Sequence, residues 1–153
     1  MPPLITCLWF DTDAHAAAEF YASVFPDSKI AGISRYTDAG PGPEGSVMTV
    51  EFAIGDARFV ALNAGPSFTF TEAISFQVMC ATQDEVDYYW ATLSDGGQQN
   101  VCGWLKDRFG VSWQIVPEVL PRLLAGEDRA RAQRVTQAMF GMTKPDIAAL
   151  ERA

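Results

Sequence analysis

One order of secondary-structure signals, a strand, a helix and then up to three strands, occurs twice along this chain of 153 residues. The two helices carry the clearest part of the repeat, because residues 20–27 (FYASVFPD) align without a gap with residues 88–95 (YYWATLSD). A repeated unit of this size predicts two βαβββ modules related by a pseudo-twofold axis. Chance similarity between two amphipathic helices is the alternative explanation.

The first module is predicted over residues 4–64. An apolar run at residues 5–10 is typical of a strand, and the Asp-Thr-Asp segment at 11–13 offers side chains that cap a helix. That helix carries an apolar stripe at three- and four-residue spacing and ends at Pro26. A loop rich in Gly and Pro is predicted at 37–46. The three strands that complete the module are predicted at 29–36, 47–54 and 57–63.

The second module is predicted over residues 72–117 and begins with a strand at 73–80. Thr82 and Glu85 have the spacing of a capping box, in which each side chain accepts a hydrogen bond from a free backbone N–H at a helix start. The helix that follows ends near Gly96. Its three further strands are predicted at 98–102, 104–108 and 111–116.

A hairpin at residues 102–117 (CGWLKDRFGVSWQIVP) gives the strongest hint of a binding site. Trp113 and Ile115 alternate with Ser112 and Gln114, which is the pattern of a half-buried strand. We therefore expect Gln114 to lie on the face opposite the helix and to line a polar pocket. The alternative is that Gln114 only pairs with side chains of the neighbouring strand.

Residues 118–153 change in character and predict a C-terminal extension of three helices, so that one domain comprises residues 1–153. The apolar side chains of this extension cover the sheet of the same chain or of a neighbouring copy, and the sequence leaves both possibilities open. These side chains are Leu123, Leu124, Met139, Phe140, Met142 and Leu150.

The charge of the chain restricts its partners. Asp and Glu outnumber Lys and Arg by 19 to 11, and a net charge of -8 repels phosphate backbones and anionic lipids, so we expect no nucleic-acid or membrane partner. No apolar run reaches the ~20 residues that span a bilayer, and the three cysteines form no C-x-x-C pair. We expect a cytoplasmic protein with buried thiols.

Three segments resemble a known family: the first helix ending FYASVFPDS, the strand ARFVALNAG and, most specifically, CGWLKDRFGVSWQIVP. The chain is similar to the PhnB-like branch of the glyoxalase and bleomycin-resistance (vicinal oxygen chelate) superfamily. The resemblance implies an α+β fold of two βαβββ modules that form a cupped mixed sheet, and a homodimer. Sequences of this branch are often labelled demethylubiquinone methyltransferases, but no strand here is followed by the Gly-rich turn of a Rossmann-like adenosylmethionine site.

Metal-dependent members of the superfamily hold a divalent ion with His, Glu or Gln side chains at four positions. The resemblance places these positions at Thr6, at Ala61 or Asn63, at Ala73 or Ser75, and at Gln114. Only Gln114 is a ligand type that the superfamily uses, and Zn²⁺, Fe²⁺ and Ni²⁺ require more basic donors than hydroxyls and amides. We therefore expect neither a metal nor a cofactor.

The leading functional hypothesis is a metal-free protein that binds a small molecule in the cavity of the cupped sheet. The predicted pocket residues are Gln114, Thr6, Leu8, Phe10, Asn63, Ser75, Gln77 and Trp104. An enzyme of the same superfamily, of lyase, isomerase or dioxygenase type, is one alternative, although the sequence identifies no catalytic residue. A structural module whose cup is filled by its own side chains is the other.

Overall fold

A computed structural model describes residues 1–153, which divide into two compact units, Met1–Phe70 and Thr71–Ala153. Each unit contains one four-stranded mixed sheet, and the second also contains the C-terminal helices. The α+β fold of two βαβββ modules with extra C-terminal helices is therefore confirmed. None of the helices combines the length and the apolar character that a bilayer span requires.

The first unit follows the predicted order of elements closely. Its sheet has the strand order β1-β4-β3-β2, with β1 parallel to β4 and the other neighbours antiparallel. The elements are β1 (Thr6–Phe10), α1 (Ala14–Val24), β2 (Ser28–Arg35), β3 (Val47–Ile54) and β4 (Ala57–Asn63).

Helix α1 covers one face of this sheet with the apolar stripe that the sequence predicted. The ring of Tyr21 stacks on Phe52 of β3, and Phe52 stacks on Phe59 of β4, with centroid distances of 5.9 and 5.0 Å. Val50 and Ala61 are fully buried beside these rings. Aromatic stacking of this kind adds to the area term and holds the helix on the sheet.

The second unit repeats the topology with the strand order β5-β8-β7-β6. Its elements are β5 (Phe76–Cys80), α2 (Gln83–Ser94), β6 (Gln98–Gln99), β7 (Trp104–Lys106), β8 (Ser112–Pro117), α3 (Val119–Ala125), α4 (Arg129–Phe140) and α5 (Ile147–Arg152).

Three strands of the second unit are shorter than predicted, among them β7, which ends at Lys106 instead of residue 108. The segment predicted as a strand from residue 73 becomes regular only at Phe76, and β6 has two residues instead of five. Cys102 and Gly103 both adopt positive φ, outside the range of a regular β-strand, so the predicted strand 98–102 cannot continue to its end. Gly103 also lies so close to the carbonyl of Ile115 that a Cβ would collide with it. A glycine is therefore required there.

The two module helices are capped in different ways. The capping box of α2 is confirmed, since Thr82 Oγ1 accepts from Glu85 N at 3.2 Å and Glu85 Oε2 accepts from Thr82 N at 3.3 Å. The predicted cap of α1 was wrong, because the side chain of Asp13 makes no capping bond. Instead, the Asn63 carboxamide, 49 residues further on, accepts from Ala14 N at 2.8 Å. Local sequence cannot reveal a cap that another strand supplies.

The C-terminal helices pack mainly on their own unit. Val116 at the end of β8 forms a buried cluster with Leu120, Val135 and Leu150, one from each helix. The apolar side chains that pack against this cluster include Leu123, Met139 and Met142. Packing within the chain, one of the two alternatives, thus accounts for four of the six apolar residues, whereas Leu124 and Phe140 stay 42% and 71% exposed.

Candidate ligand site

A row of three side chains crosses the second sheet on the face away from α2. Gln77 of β5, Gln114 of β8 and Trp104 of β7 are direct partners on adjacent strands, so all three project from one face. The next row points the other way, and its members Trp113 and Leu105 are buried. The structure therefore brings together three of the predicted pocket residues on the predicted face of β8.

Gln114 is held in place by its neighbours on this face. Its Nε2 donates to Ser75 Oγ at 2.7 Å, and its Oε1 accepts from Gln77 Nε2 at 3.4 Å. These bonds match the alternative interpretation, in which Gln114 pairs with adjacent strand residues. A carboxamide has two N–H donors and two acceptor lone pairs, so each of its two atoms retains capacity for a ligand.

A cavity of about 470 Å³ opens over this row, between the sheet and the C-terminal helices. The sheet contributes Trp104 and Gln114, and the turn before β7 contributes Val101 and Cys102. The helical lining consists of Leu124, Thr136, Met139 and Phe140. The last three lie at helical spacing on one face of α4. The cavity is thus mostly apolar with one fixed carboxamide in its floor.

The sequence analysis did not predict that the C-terminal helices line this cavity. The signal that could have found it is the pair of apolar residues, Leu124 and Phe140, that remain exposed after the helical core is filled. Surplus apolar side chains that surround a concave polar row are a common feature of ligand sites.

The hairpin that positions Gln114 is organised by Asp107, for which the sequence analysis predicted no role. Its carboxylate is 2% exposed and accepts from Phe109 N at 2.9 Å, from Val111 N at 3.1 Å and from the Trp113 indole N–H at 2.9 Å. A buried carboxylate is tolerated because these donors replace its water. The bonds fix the turn and the buried side of β8, and therefore the direction in which Gln114 points.

The two cations of this hairpin are engaged in ion pairs. Lys106 Nζ lies 2.6 Å from Glu72 Oε1, and Arg108 Nη2 lies 2.9 Å from Asp95 Oδ2. The hydrogen bond from Lys106 lowers the pKa of the Glu72 carboxyl below its ordinary value. Neither cation lines the cavity beside Gln114.

The predicted residues of the first module lie elsewhere. Thr6 is paired with Phe59, and Phe59 with Phe52, whose ring stacks on α1. Thr6, Leu8 and Phe10 do share a face, but it is the helix-covered one, and Leu8 and Phe10 are buried in the core. The strand phase assigned to β1 was therefore wrong, because alternation alone does not show which side the helix covers.

The side chain of Asn63 has a structural role and does not line the ligand cavity of the second module. Its carboxamide accepts from Ala14 N and donates through Nδ2 to Val47 O at 3.1 Å. Both atoms of the amide are thus used to join α1, β3 and β4.

The residues at the four positions where the family resemblance places metal ligands are not suited to bind a metal ion. Thr6 and Ala61 lie on the helix side, Asn63 is occupied as a cap, and Gln114 is hydrogen-bonded to Ser75 and Gln77. The chain contains no group of three His, Cys, Asp or Glu side chains arranged to hold an ion. A set of two carboxamides and a hydroxyl lacks the charged or imidazole donors that transition metals require.

Comparison with known proteins supports this architecture. A family model described as 3-demethylubiquinone-9 3-methyltransferase matches residues 2–116. The PhnB protein of Bacillus cereus is 35% identical, with a TM-score of 0.69 over 76% of this chain and 99% of that one. Protein PA1353 of Pseudomonas aeruginosa is 18% identical, with a TM-score of 0.65 over 77% and 98%.

The fosfomycin resistance protein FosX of Mesorhizobium loti is 13% identical, with a TM-score of 0.54 over 75% of this chain and 90% of that one, and it shares the fold only. A search of curated proteins gave no match.

The paired βαβββ modules define a protein of the glyoxalase/bleomycin-resistance fold. Within that class, the chain belongs to the PhnB-like family, whose model carries the description 3-demethylubiquinone-9 3-methyltransferase.

Proposed function

We propose that this protein binds a small, largely apolar organic molecule in the cavity of its second module, without a metal ion. The observation that carries the proposal is the position of Gln114, a preorganised carboxamide in the floor of an otherwise apolar cavity. Its volume of about 470 Å³ lies within the range of roughly 300–1,000 Å³ that is usual for small-molecule sites.

The lining favours a ligand with an aromatic or aliphatic body and one polar group. Trp104, Met139 and Phe140 offer broad, polarisable surfaces for the body, and Gln114 offers a donor and an acceptor for the polar group. Because neither a charged side chain nor a metal donor set lines the cavity, the proposal assigns selectivity to shape and to this one amide.

One feature distinguishes this proposal from the methyl transfer that the family description names. The turns that lead from β1 to α1 and from β5 to α2 contain no glycine, although an adenosylmethionine site of the Rossmann type requires a close backbone approach there. The family description thus indicates to which family the chain is related, and we do not take it as the activity of the chain. Binding is the activity that the second-module cavity supports best.

Titration with the neutral, apolar fluorophore 1-anilinonaphthalene tests the proposal. We expect saturable binding of one probe per chain, with an affinity at least tenfold weaker in Trp104→Leu, which removes the broadest surface of the floor. Gln133→Ala, an exposed glutamine on α4 outside the cavity, serves as the matched control and should bind as the wild type does.

Equal binding by Trp104→Leu and wild type would show that the probe sits elsewhere and would contradict the proposal. Metal analysis of the purified protein provides an independent check, because a stoichiometric, tightly held ion would contradict the metal-free site. The homodimer and the cytoplasmic location remain predictions, which light scattering and cell fractionation address.

A further inference from the structure

The first module contains a second cavity, also of about 470 Å³, which the proposed ligand site does not use. It lies where the Gly- and Pro-rich loop 37–46 folds over the beginning of α1 and over residues 63–65. The apolar part of its wall consists of Pro41, Pro43, Val47 and Ala64.

The loop is fastened around one buried aromatic side chain. Tyr36 N donates to Ser46 O, and Gly45 N donates to Tyr36 O, both at 2.9 Å, so the two ends of the loop are joined. The backbone at Gly40 and Gly42 lies directly on the Tyr36 ring, where any Cβ would collide with ring carbons. Glycine at these positions thus allows the loop to close, and the wall of the cavity is formed before any ligand arrives.

The opposite wall is fixed by Asn63. The Tyr36 hydroxyl donates to Asn63 O, and the Asn63 side chain binds Ala14 N of α1 and Val47 O of β3. Loop, helix and sheet are therefore held in one arrangement around the cavity.

Polar side chains at this cavity have hydrogen-bonding capacity that the chain itself does not use. The side chains of Asp11 and Thr12 line it and make no hydrogen bond or ion pair within the chain. His15 also lines it and contacts Glu19 through Nε2 at 3.3 Å. No Lys or Arg is among the lining residues, and the whole chain carries a net charge of -8. The full negative charge of the Asp11 carboxylate exceeds the partial positive charge, roughly +0.5, at the beginning of α1, so the potential at this site favours a cation.

We propose that this cavity is a second small-molecule site whose ligand is an organic amine with a compact apolar body. The ammonium group would pair with the Asp11 carboxylate and donate to the Thr12 hydroxyl, and the body would pack against Pro41, Pro43 and Val47. The prolines add apolar area at little entropic cost, because their rings are already rigid. This site is independent of the cavity around Gln114.

The chain has a single histidine, so the imidazole C–H signals of His15 in a proton NMR spectrum report on this cavity alone. The probes are benzylamine, its neutral analogue benzyl alcohol and the anion benzoate. We expect benzylamine to shift the His15 signals in a saturable way, benzyl alcohol to bind at least fivefold more weakly and benzoate to cause no saturable shift.

Asp11→Asn should weaken benzylamine binding at least tenfold. Asp13→Asn removes the same charge two residues away, at a side chain that makes no capping bond, and should bind within twofold of the wild type. Gly42→Ala, which forces the loop off Tyr36, should also weaken binding, with circular dichroism used to confirm that the chain is folded.

Equal affinity for benzylamine and benzyl alcohol, or equal losses in Asp11→Asn and Asp13→Asn, would overturn the proposal, because recognition would not depend on the Asp11 contact. Saturable binding that leaves His15 unchanged but shifts the Trp104 indole signal would overturn it as well, while leaving the proposed function of the second module intact.

Discussion

The two modules share one topology but stabilise it differently. In the first module, β2, β3 and β4 have eight, eight and seven residues, and long antiparallel pairing holds the sheet together. In the second, the equivalent strands have two, three and six residues, and a buried carboxylate and three additional helices support the sheet. In a duplicated βαβββ unit, side-chain hydrogen bonds and covering helices can therefore stabilise a sheet whose strands are short. The shortened sheet is the one whose cavity is lined by C-terminal helices.

The hairpin turns offer the largest contrast between the modules. Asp107→Ala would leave two backbone N–H groups and an indole N–H without their buried acceptor, and should destabilise the protein by about 3–5 kcal/mol. Asp56→Ala, at the exposed turn between β3 and β4, should change stability by about 0.5 kcal/mol or less. Urea unfolding measures both. Similar effects of the two substitutions would show that Asp107 does not support the second hairpin.

Removing the two helix caps should change the stability of the protein by amounts that differ less than those for the two hairpin turns. Asn63→Ala removes two partly buried hydrogen bonds that join three elements, with an expected cost of about 2 kcal/mol, whereas Thr82→Ala removes one exposed local cap, with a cost of about 1 kcal/mol. Amide exchange at the beginning of α1 should accelerate in Asn63→Ala. A larger cost for Thr82→Ala would contradict the view that the first module depends on its distant cap.

The first strands of the modules each carry a cysteine, and the two should react differently. Cys7 of β1 is exposed, so the prediction of buried thiols was wrong for this residue, whereas Cys80 of β5 is buried. Burial, together with the nearby Glu85 and Glu118, raises the pKa of the Cys80 thiol to about 11. In the native protein at pH 8, Ellman's reagent should modify Cys7 within minutes and Cys80 only after unfolding. Fast modification of Cys80 would contradict its buried position.

The same pKa shift predicts a dependence of stability on pH. The native state retains the Cys80 proton between the ordinary thiol pKa of 9.0 and about 11, so the unfolded state binds fewer protons in this range. The free energy of unfolding should therefore fall as the pH rises from 9 to 11, by on the order of 1 kcal/mol more in the wild type than in Cys80→Ala. If the free energy of unfolding fell with pH equally in the wild type and in Cys80→Ala, the raised pKa of Cys80 would be contradicted.

The smallest expected effect concerns exposed ion pairs on the module helices. Lys144 lies 2.5 Å from Asp87 on α2, and this contact, together with that of Gln83, lowers the pKa of the Asp87 carboxyl. Lys144→Met should slightly reduce the urea midpoint at pH 7, and the difference should vanish as the pH falls and Asp87 is protonated. Glu19→Gln is the matched substitution in the first module, because Glu19 pairs only with His15 on the same helix. A difference that persists at low pH would show that the effect is not electrostatic.

Much of this fold follows from local patterns in the sequence. Both apolar helix stripes and the capping box depend on residues within one or two turns of each other, and such signals can be read directly. The repeat can also be read directly, because residues 20–27 and 88–95 align without a gap. The alternation around Gln114 also identified the face of β8 correctly, because Trp113 and Ile115 are strongly apolar neighbours.

The errors arise where distant residues decide the outcome. In β1, every residue from Cys7 to Phe10 is apolar, so alternation could not show which face α1 would cover. The cap supplied by Asn63, the role of Asp107 and the helical wall of the second-module cavity all depend on contacts between elements. Sequence spacing does not encode such contacts, and only the folded chain shows them.

Binding of a small apolar molecule in the second-module cavity can be observed through the four tryptophan indole N–H signals in a nitrogen-15 correlation spectrum. Trp9 and Trp113 donate to Gly65 O and to Asp107 within their own modules, whereas Trp104 lines the cavity. On addition of the anilinonaphthalene probe, we expect a saturable shift of the Trp104 signal with the Trp9 signal unchanged. A bound probe that leaves Trp104 unchanged would contradict binding in this cavity.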